Sequence, residues 1–216
     1  MNVLFIGNSY TFYNHLPKLL EALAEENGKE ISVASVTKGG RKLYRNLDPE
    51  DEHGKEIRHI AEKGNTDALF LQEQSYYALV DYEKFLEGVS GLIELVGAKR
   101  NILYATWGRK IGASLLDELK LTSEEMTDAL DEKYANAASA CGAEVSHVGK
   151  YFASIAKAYP LLELYDPDLS HPSYLGSCAA AIMHYKTLFG ELPKKYESLN
   201  CSDAEMLLRV AAETEK

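Results

Sequence analysis

The sequence predicts a three-layer α/β/α fold around a five-stranded parallel sheet. Three observations carry that expectation. Five short apolar runs recur along the chain, segments of helical periodicity lie between them, and 46% hydrophobic with 26% charged residues is an ordinary globular balance. At 216 residues the chain suits one domain spanning 1–216, with no repeat, low-complexity segment or linker.

The apolar runs are Val3–Ile6, Ile31–Val36, Ala68–Leu71, Ile102–Trp107 and Val145–Val148, bounded by Gly, Asn, Asp or Glu as buried strands often are. After the first run, Leu16, Leu19, Leu20, Leu23 and Ala24 share one helical face, and Pro17 is tolerated in a first turn. Ile57, Ile60 and Ala61 form a shorter stripe, and Phe85, Leu86, Val89, Leu92, Ile93 and Val96 a longer one. Thr122-Ser-Glu-Glu125 has capping-box spacing ahead of a helix reaching about Cys141, with Ser123–Glu132 read as a solvated face. Ser202-Asp-Ala-Glu205 repeats the spacing before a C-terminal helix. Alternating strand and helix implies parallel pairing, and five strands favour a flavodoxin-like order, 2-1-3-4-5.

Charge and cysteine usage narrow the partners. A net charge of −10 argues against nucleic acid or an anionic membrane surface. Cys141, Cys178 and Cys201 have no CxxC spacing and read as reduced thiols. No run approaches the ~20 apolar residues of a membrane span, and the chain opens directly on its first strand, so a cytoplasmic enzyme is expected.

In a parallel sheet of this kind the ligand crevice lies beyond the carboxyl ends of the strands. Gly7-Asn-Ser-Tyr-Thr11 follows the first strand, where Ser9 can be a nucleophile, a phosphate ligand or a helix cap. The segment is neither GxGxxG nor a P-loop, and Thr11 replaces the second glycine of GxSxG. Lys38-Gly-Gly-Arg-Lys42 follows the second strand, either as a plain turn or as a backbone N–H donor to a substrate oxygen. Gln72-Glu-Gln-Ser75 follows the third and offers side-chain amides; Glu73 reads as structural. Late in the chain, Asp166-Pro-Asp-Leu-Ser-His-Pro172 places Asp168 and His171 three apart, either an exposed loop histidine or a base with its orienting carboxylate. A helix containing Ala179, Ala180, Ala181, Ile182 and Tyr185 follows.

Taken in order, these blocks resemble the SGNH/GDSL hydrolase superfamily, and Gly7-Asn-Ser9, Leu71-Gln-Glu-Gln-Ser75 and Asp168-Leu-Ser-His-Pro172 are similar to one subgroup of it. The resemblance spans Gly7 to Pro172 and implies that Ser9 attacks an ester carbonyl, His171 moves the proton and Asp168 orients His171. It implies an oxyanion hole of Ser9 and Gly40 amides, with Gly39 as the alternative to Gly40. Two blocks depart: Asn8 stands where the family has Asp, and Gln72-Glu-Gln-Ser75 replaces GxND. Alignment of that block makes Gln74 the expected third donor, with Gln72 as fallback.

Asn8, Tyr10, Tyr76 and Trp107 are the expected substrate-binding residues, with Arg109 beside Trp107 as a further wall. The aromatics Phe12, Tyr13 and Tyr77 also lie near the expected cleft mouth. His15, His53, His59, His147 and His184 lack metal-ligand spacing, so neither metal nor cofactor is expected. The expected partner is a small-molecule carboxylic ester, by family analogy an O-acetylated carbohydrate. Acyl transfer to an alcohol, or a silent module that binds a glycan or small acid, are the rival readings.

Overall fold

The computed structural model describes residues 1–213. Its sheet consists of β1 (Asn2–Gly7), β2 (Ser32–Thr37), β3 (Ala68–Leu71), β4 (Arg100–Tyr104) and β5 (Glu144–Ser146), all parallel, in the order β2-β1-β3-β4-β5. Ile6 pairs with Val36 on one side and Leu71 on the other. The carboxyl ends of β1, β2 and β3 are therefore level, and the segments that follow them emerge side by side.

The helices are α1 (Ser9–Phe12), α2 (Leu16–Glu26), α3 (Glu52–Ala61), α4 (Tyr77–Val80), α5 (Tyr82–Val96), α6 (Ser114–Leu119), α7 (Ser123–Cys141), α8 (Val148–Ala158), α9 (Tyr174–Phe189) and α10 (Ala204–Glu213). Successive strand residues point to opposite faces, so Val3, Phe5, Phe70, Ile102 and Tyr104 pack with α2, α8, α9 and α10. Leu4, Ile6, Leu69, Leu71 and Leu103 pack with α3, α5 and α7 on the other face. Each fully buried Leu, Ile or Phe in these layers is worth roughly 2 kcal/mol of transfer free energy.

The Leu16–Ala24 stripe, Pro17 in its first turn, and the Thr122–Glu125 capping box all form as the sequence predicts. Most strand ends shift by one or two residues, and three differences matter for the site and its surroundings. β4 stops at Tyr104 because its neighbour β5 is only three residues long and their pairing ends at Tyr104–Ser146. Val148 opens α8 rather than closing β5, and the Gly149 amide donates to the Ala105 carbonyl (3.0 Å). The last helix begins at Ala204, and the Ser202 hydroxyl donates to the Asp203 carboxylate (3.2 Å), so no capping box forms there. No helix among the described residues is long and apolar enough to cross a membrane. Cys141, Cys178 and Cys201 are free thiols.

Candidate active site

Gly7 sets how the chain leaves β1. A Cβ there would lie 2.4 Å from Thr11 Oγ1 and 2.8 Å from Gln72 Oε1, so only glycine allows this close turn. Asn8 then caps α1, its Oδ1 accepting from the Tyr10 amide (3.3 Å). The capping role considered for Ser9 therefore belongs to Asn8. Ser9 is the first helical residue, and its Oγ lies 2.8 Å from His171 Nε2.

His171 sits in a loop closed by an isolated antiparallel bridge between Tyr165 and Pro172. Asp166 N donates to the His171 carbonyl (2.8 Å), and Leu169 N to the Asp166 carbonyl (3.0 Å). Asp168 Oδ1 accepts from the Ser170 (3.0 Å) and His171 (2.9 Å) amides, while Oδ2 bonds His171 Nδ1. Burial pushes the Asp168 carboxyl up, but the bonds from the His171 ring and from the two amides outweigh it and hold the group below the usual carboxylate range. Leu169 adopts a left-handed φ of 62°, which costs about 1 kcal/mol in a non-glycine residue. The loop bonds and Lys110 N on the Leu169 carbonyl (3.0 Å) hold it there.

The imidazole is also held from its faces. Tyr13 stacks on it at 4.2 Å and 11°, and Tyr10 meets it edge-on at 5.5 Å. Asn14, itself left-handed at φ 51°, donates its amide to the Pro172 carbonyl (3.1 Å) and to Ser177 Oγ (2.9 Å). This clamp ties the segment after Ser9 directly to the segment after His171.

The N–H groups of Ser9, Gly39 and Gly40 have no protein acceptor among the described residues, and the two glycines follow β2, whose last residue Thr37 pairs with Gly7 of β1. Gly40 has φ +67° with nothing within 4 Å of a notional Cβ, so backbone conformation rather than space calls for glycine. Gln72 is not available as a donor. Its Oε1 accepts from Asn8 N (3.0 Å) and Thr11 Oγ1 (2.8 Å), and its Nε2 bonds Asn8 Oδ1 (3.0 Å) and the Glu73 carbonyl. That amide is a brace between β1 and β3. Gln74 is half-buried and donates to Ser75 Oγ (3.1 Å).

No protein-family profile matches the sequence, and none of the curated proteins does. Solved structures do match. A candidate SGNH hydrolase from Slackia heliotrinireducens is 29% identical with TM-score 0.75, over 87% of this chain and 98% of that one. A DUF4886 family protein from Bacteroides uniformis ATCC 8492 is 16% identical with TM-score 0.75, over 100% and 96% of the two chains. The acetyl xylan esterase AlAXEase is 15% identical with TM-score 0.63, over 88% and 100%. The fold is that of the SGNH hydrolases.

Within this SGNH fold, three expected substrate contacts lie beneath the site. Trp107 is fully buried, stacked between Tyr10 (4.8 Å) and Phe152 (4.1 Å), with Nε1 donating to the Ser170 carbonyl (3.0 Å). Because β4 ends at Tyr104, Trp107 turns back into the core rather than lining a pocket. Tyr10 is 2% exposed, and its hydroxyl bonds Ser170 Oγ (2.8 Å). Asn8 is likewise buried, its Nδ2 donating to the Arg41 carbonyl (3.1 Å). Tyr76 and Arg109 do line an open cavity of about 650 Å³, together with Asp168, Leu169 and Ser170. A second cavity of about 420 Å³ opens at Gly39 and Gly40.

Glu73 is buried, accepting from the Leu43 (3.1 Å) and Gln74 (2.6 Å) amides. Burial pushes its pKa up to about 7 against those bonds and the nearby Lys42 charge. Its contacts tie the loop after β2 to the end of β3, which fits a structural role. Among the described residues no three His, Cys, Asp or Glu side chains cluster as metal ligands.

Proposed function

We propose that the protein is a serine esterase that hydrolyses a small-molecule carboxylic ester through an acyl-serine intermediate, the whole chain acting as one SGNH-type domain. The observation that carries this reading is the continuous relay from Ser9 Oγ to His171 Nε2 (2.8 Å) and from His171 Nδ1 to Asp168. Ser9 Oγ bonds to the ester carbonyl carbon as His171 takes its proton. The carbonyl oxygen becomes an oxyanion received by the Ser9 and Gly40 amides, with Gln74 as the third donor. Collapse breaks the ester C–O bond, and the proton on His171 passes to the departing alcohol. Water then attacks the acyl-serine by the same relay, releasing the acid and restoring Ser9. Asp168 keeps Nδ1 protonated and Nε2 free to accept.

The neighbours named as an SGNH hydrolase and an acetyl xylan esterase support the hydrolase class and a short acyl group, acetyl on a carbohydrate being the first to try. Half-exposed Ser9 leaves the acyl-enzyme open to water, as hydrolysis requires.

Hydrolysis of p-nitrophenyl acetate and longer homologues, compared between wild type and Ser9→Ala, tests the reading. Saturable turnover falling by roughly 10³-fold or more in the variant is expected. Equal rates in the two proteins would refute it.

A further inference from the structure

Arg109 is a cation in the cavity wall without an acidic partner. Its Nη1 donates to the Tyr10 hydroxyl (2.9 Å) and its Nη2 to Ser75 Oγ (3.0 Å), both neutral. No carboxylate pairs with it among the described residues, although the chain has 33 acidic side chains against 23 basic ones. Elsewhere Arg41 meets Asp51, and Arg100 meets Glu144 through two nitrogens. In the other cavity Arg41 is thus already neutralised and further bonded to Asn46, while Arg45 lies exposed over the Tyr44 ring. A half-buried guanidinium held in place by two hydroxyls and left uncompensated is poised for an anion from outside.

We infer that the ester acted on at Ser9 carries a carboxylate, and that Arg109 receives it and sets substrate specificity. This rests on the esterase reading. The planar guanidinium matches a carboxylate in two-point contact. Arg109 shares its cavity with Asp168 and Leu169, and through Tyr10 it is bonded to the residue next to Ser9. Asp168, an anion in the same cavity wall, forms no ion pair with Arg109; its oxygens bond the His171 ring and two amides. The two hydroxyl contacts fix the guanidinium's orientation in the cavity wall, which lowers the ordering cost of receiving a carboxylate.

Matched ester pairs test this. p-Nitrophenyl hemiglutarate against p-nitrophenyl valerate places the charge on the acyl side, and meta-acetoxybenzoate against phenyl acetate places it on the alcohol side. The wild type is expected to favour the anionic member of one pair by roughly tenfold in kcat/KM, mainly through KM. Arg109→Gln should abolish that preference, and Arg109→Lys should retain part of it. Because Arg109 also braces Tyr10 and Ser75, Ser114→Glu provides a second variant: Ser114 is exposed in the same cavity, and its hydroxyl has no partner among the described residues. A new negative charge there should cut the preference with folding intact. No preference in either pair, or a preference that survives both Arg109→Gln and Ser114→Glu, overturns the inference while leaving the esterase standing. If no ester is hydrolysed, the esterase reading falls and calorimetric binding of glutarate decides this site alone. Binding lost in Arg109→Gln supports it, and no binding to the wild type overturns it.

Discussion

Asn14 meets two demands at once. It holds a left-handed φ that Asn tolerates better than most residues, and its amide joins the β1 exit to Pro172 and Ser177. Asn14→Gly keeps the backbone and removes the clamp, so kcat should fall several-fold while KM stays within about twofold, measured with the best p-nitrophenyl ester. Asp168→Asn should lower kcat far more, on the order of 10³- to 10⁴-fold, since the imidazole tautomer is no longer fixed. The two residues were unequally legible. Asp168 and His171 are three apart, so a local motif points to them, as Gly7-Asn-Ser9 points to Ser9. Asn14, the Tyr13 stack on His171 and the uncompensated Arg109 exist only because segments about 100 to 160 residues apart are brought together, and no local spacing encodes that. Trp107 and Tyr10 were misplaced for a related reason: an aromatic next to a strand end packs as readily beneath a site as within it.

At the scale of elements, the sequence was most readable where capping and periodicity agree. α7 begins at the predicted Thr122 box, with the Thr122 hydroxyl accepting from Glu125 N (3.1 Å) and Glu125 Oε2 accepting from Thr122 N (2.8 Å). Thr122→Ala should cost about 1 kcal/mol in denaturant unfolding, without changing esterase kinetics. α8 was missed although Val148, Tyr151, Phe152 and Ile155 stand at helical spacing. Val148 continues the preceding apolar run, and no Ser, Thr, Asp or Asn holds the cap position; His147 does, its ring bonded to Asp131 rather than to a helix amide. The strand ends at Tyr104 and Ser146 were unreadable because ladder length depends on the neighbour, not on the strand's own residues. Parallel order was readable because alternating elements leave few alternatives.

Two buried ionisable groups give the whole molecule opposing pH responses. Glu73, with its pKa raised to about 7, holds its proton in the folded chain after the unfolded chain has lost it at the ordinary 4.5. Stability from this group is therefore complete below pH 4.5 and is lost as pH rises to 7, by about 3 kcal/mol. His184 lies fully buried against Phe5, Phe70 and Tyr104, its Nδ1 on Ser146 Oγ (2.8 Å). Burial lowers its pKa to about 3, so the unfolded chain binds a proton from pH 6.5 downward while the folded chain refuses it. Stability from that group is present above pH 6.5 and falls as pH drops towards 3, by up to about 5 kcal/mol. Unfolding free energies measured across this range should show the Glu73 slope disappear in Glu73→Gln and the acid slope flatten in His184→Phe. Parallel curves for variant and wild type would contradict the assigned charge states.

The proposed chemistry requires Ser9 to be a nucleophile made reactive by His171. Labelling with a fluorophosphonate, located by peptide mass spectrometry in wild type and His171→Ala, tests this without knowledge of the natural substrate. One label per chain on Ser9, with the rate reduced by roughly 10³-fold or more in His171→Ala, is the predicted result. An unlabelled Ser9, or equal labelling of both proteins, would contradict a nucleophilic Ser9 activated by His171.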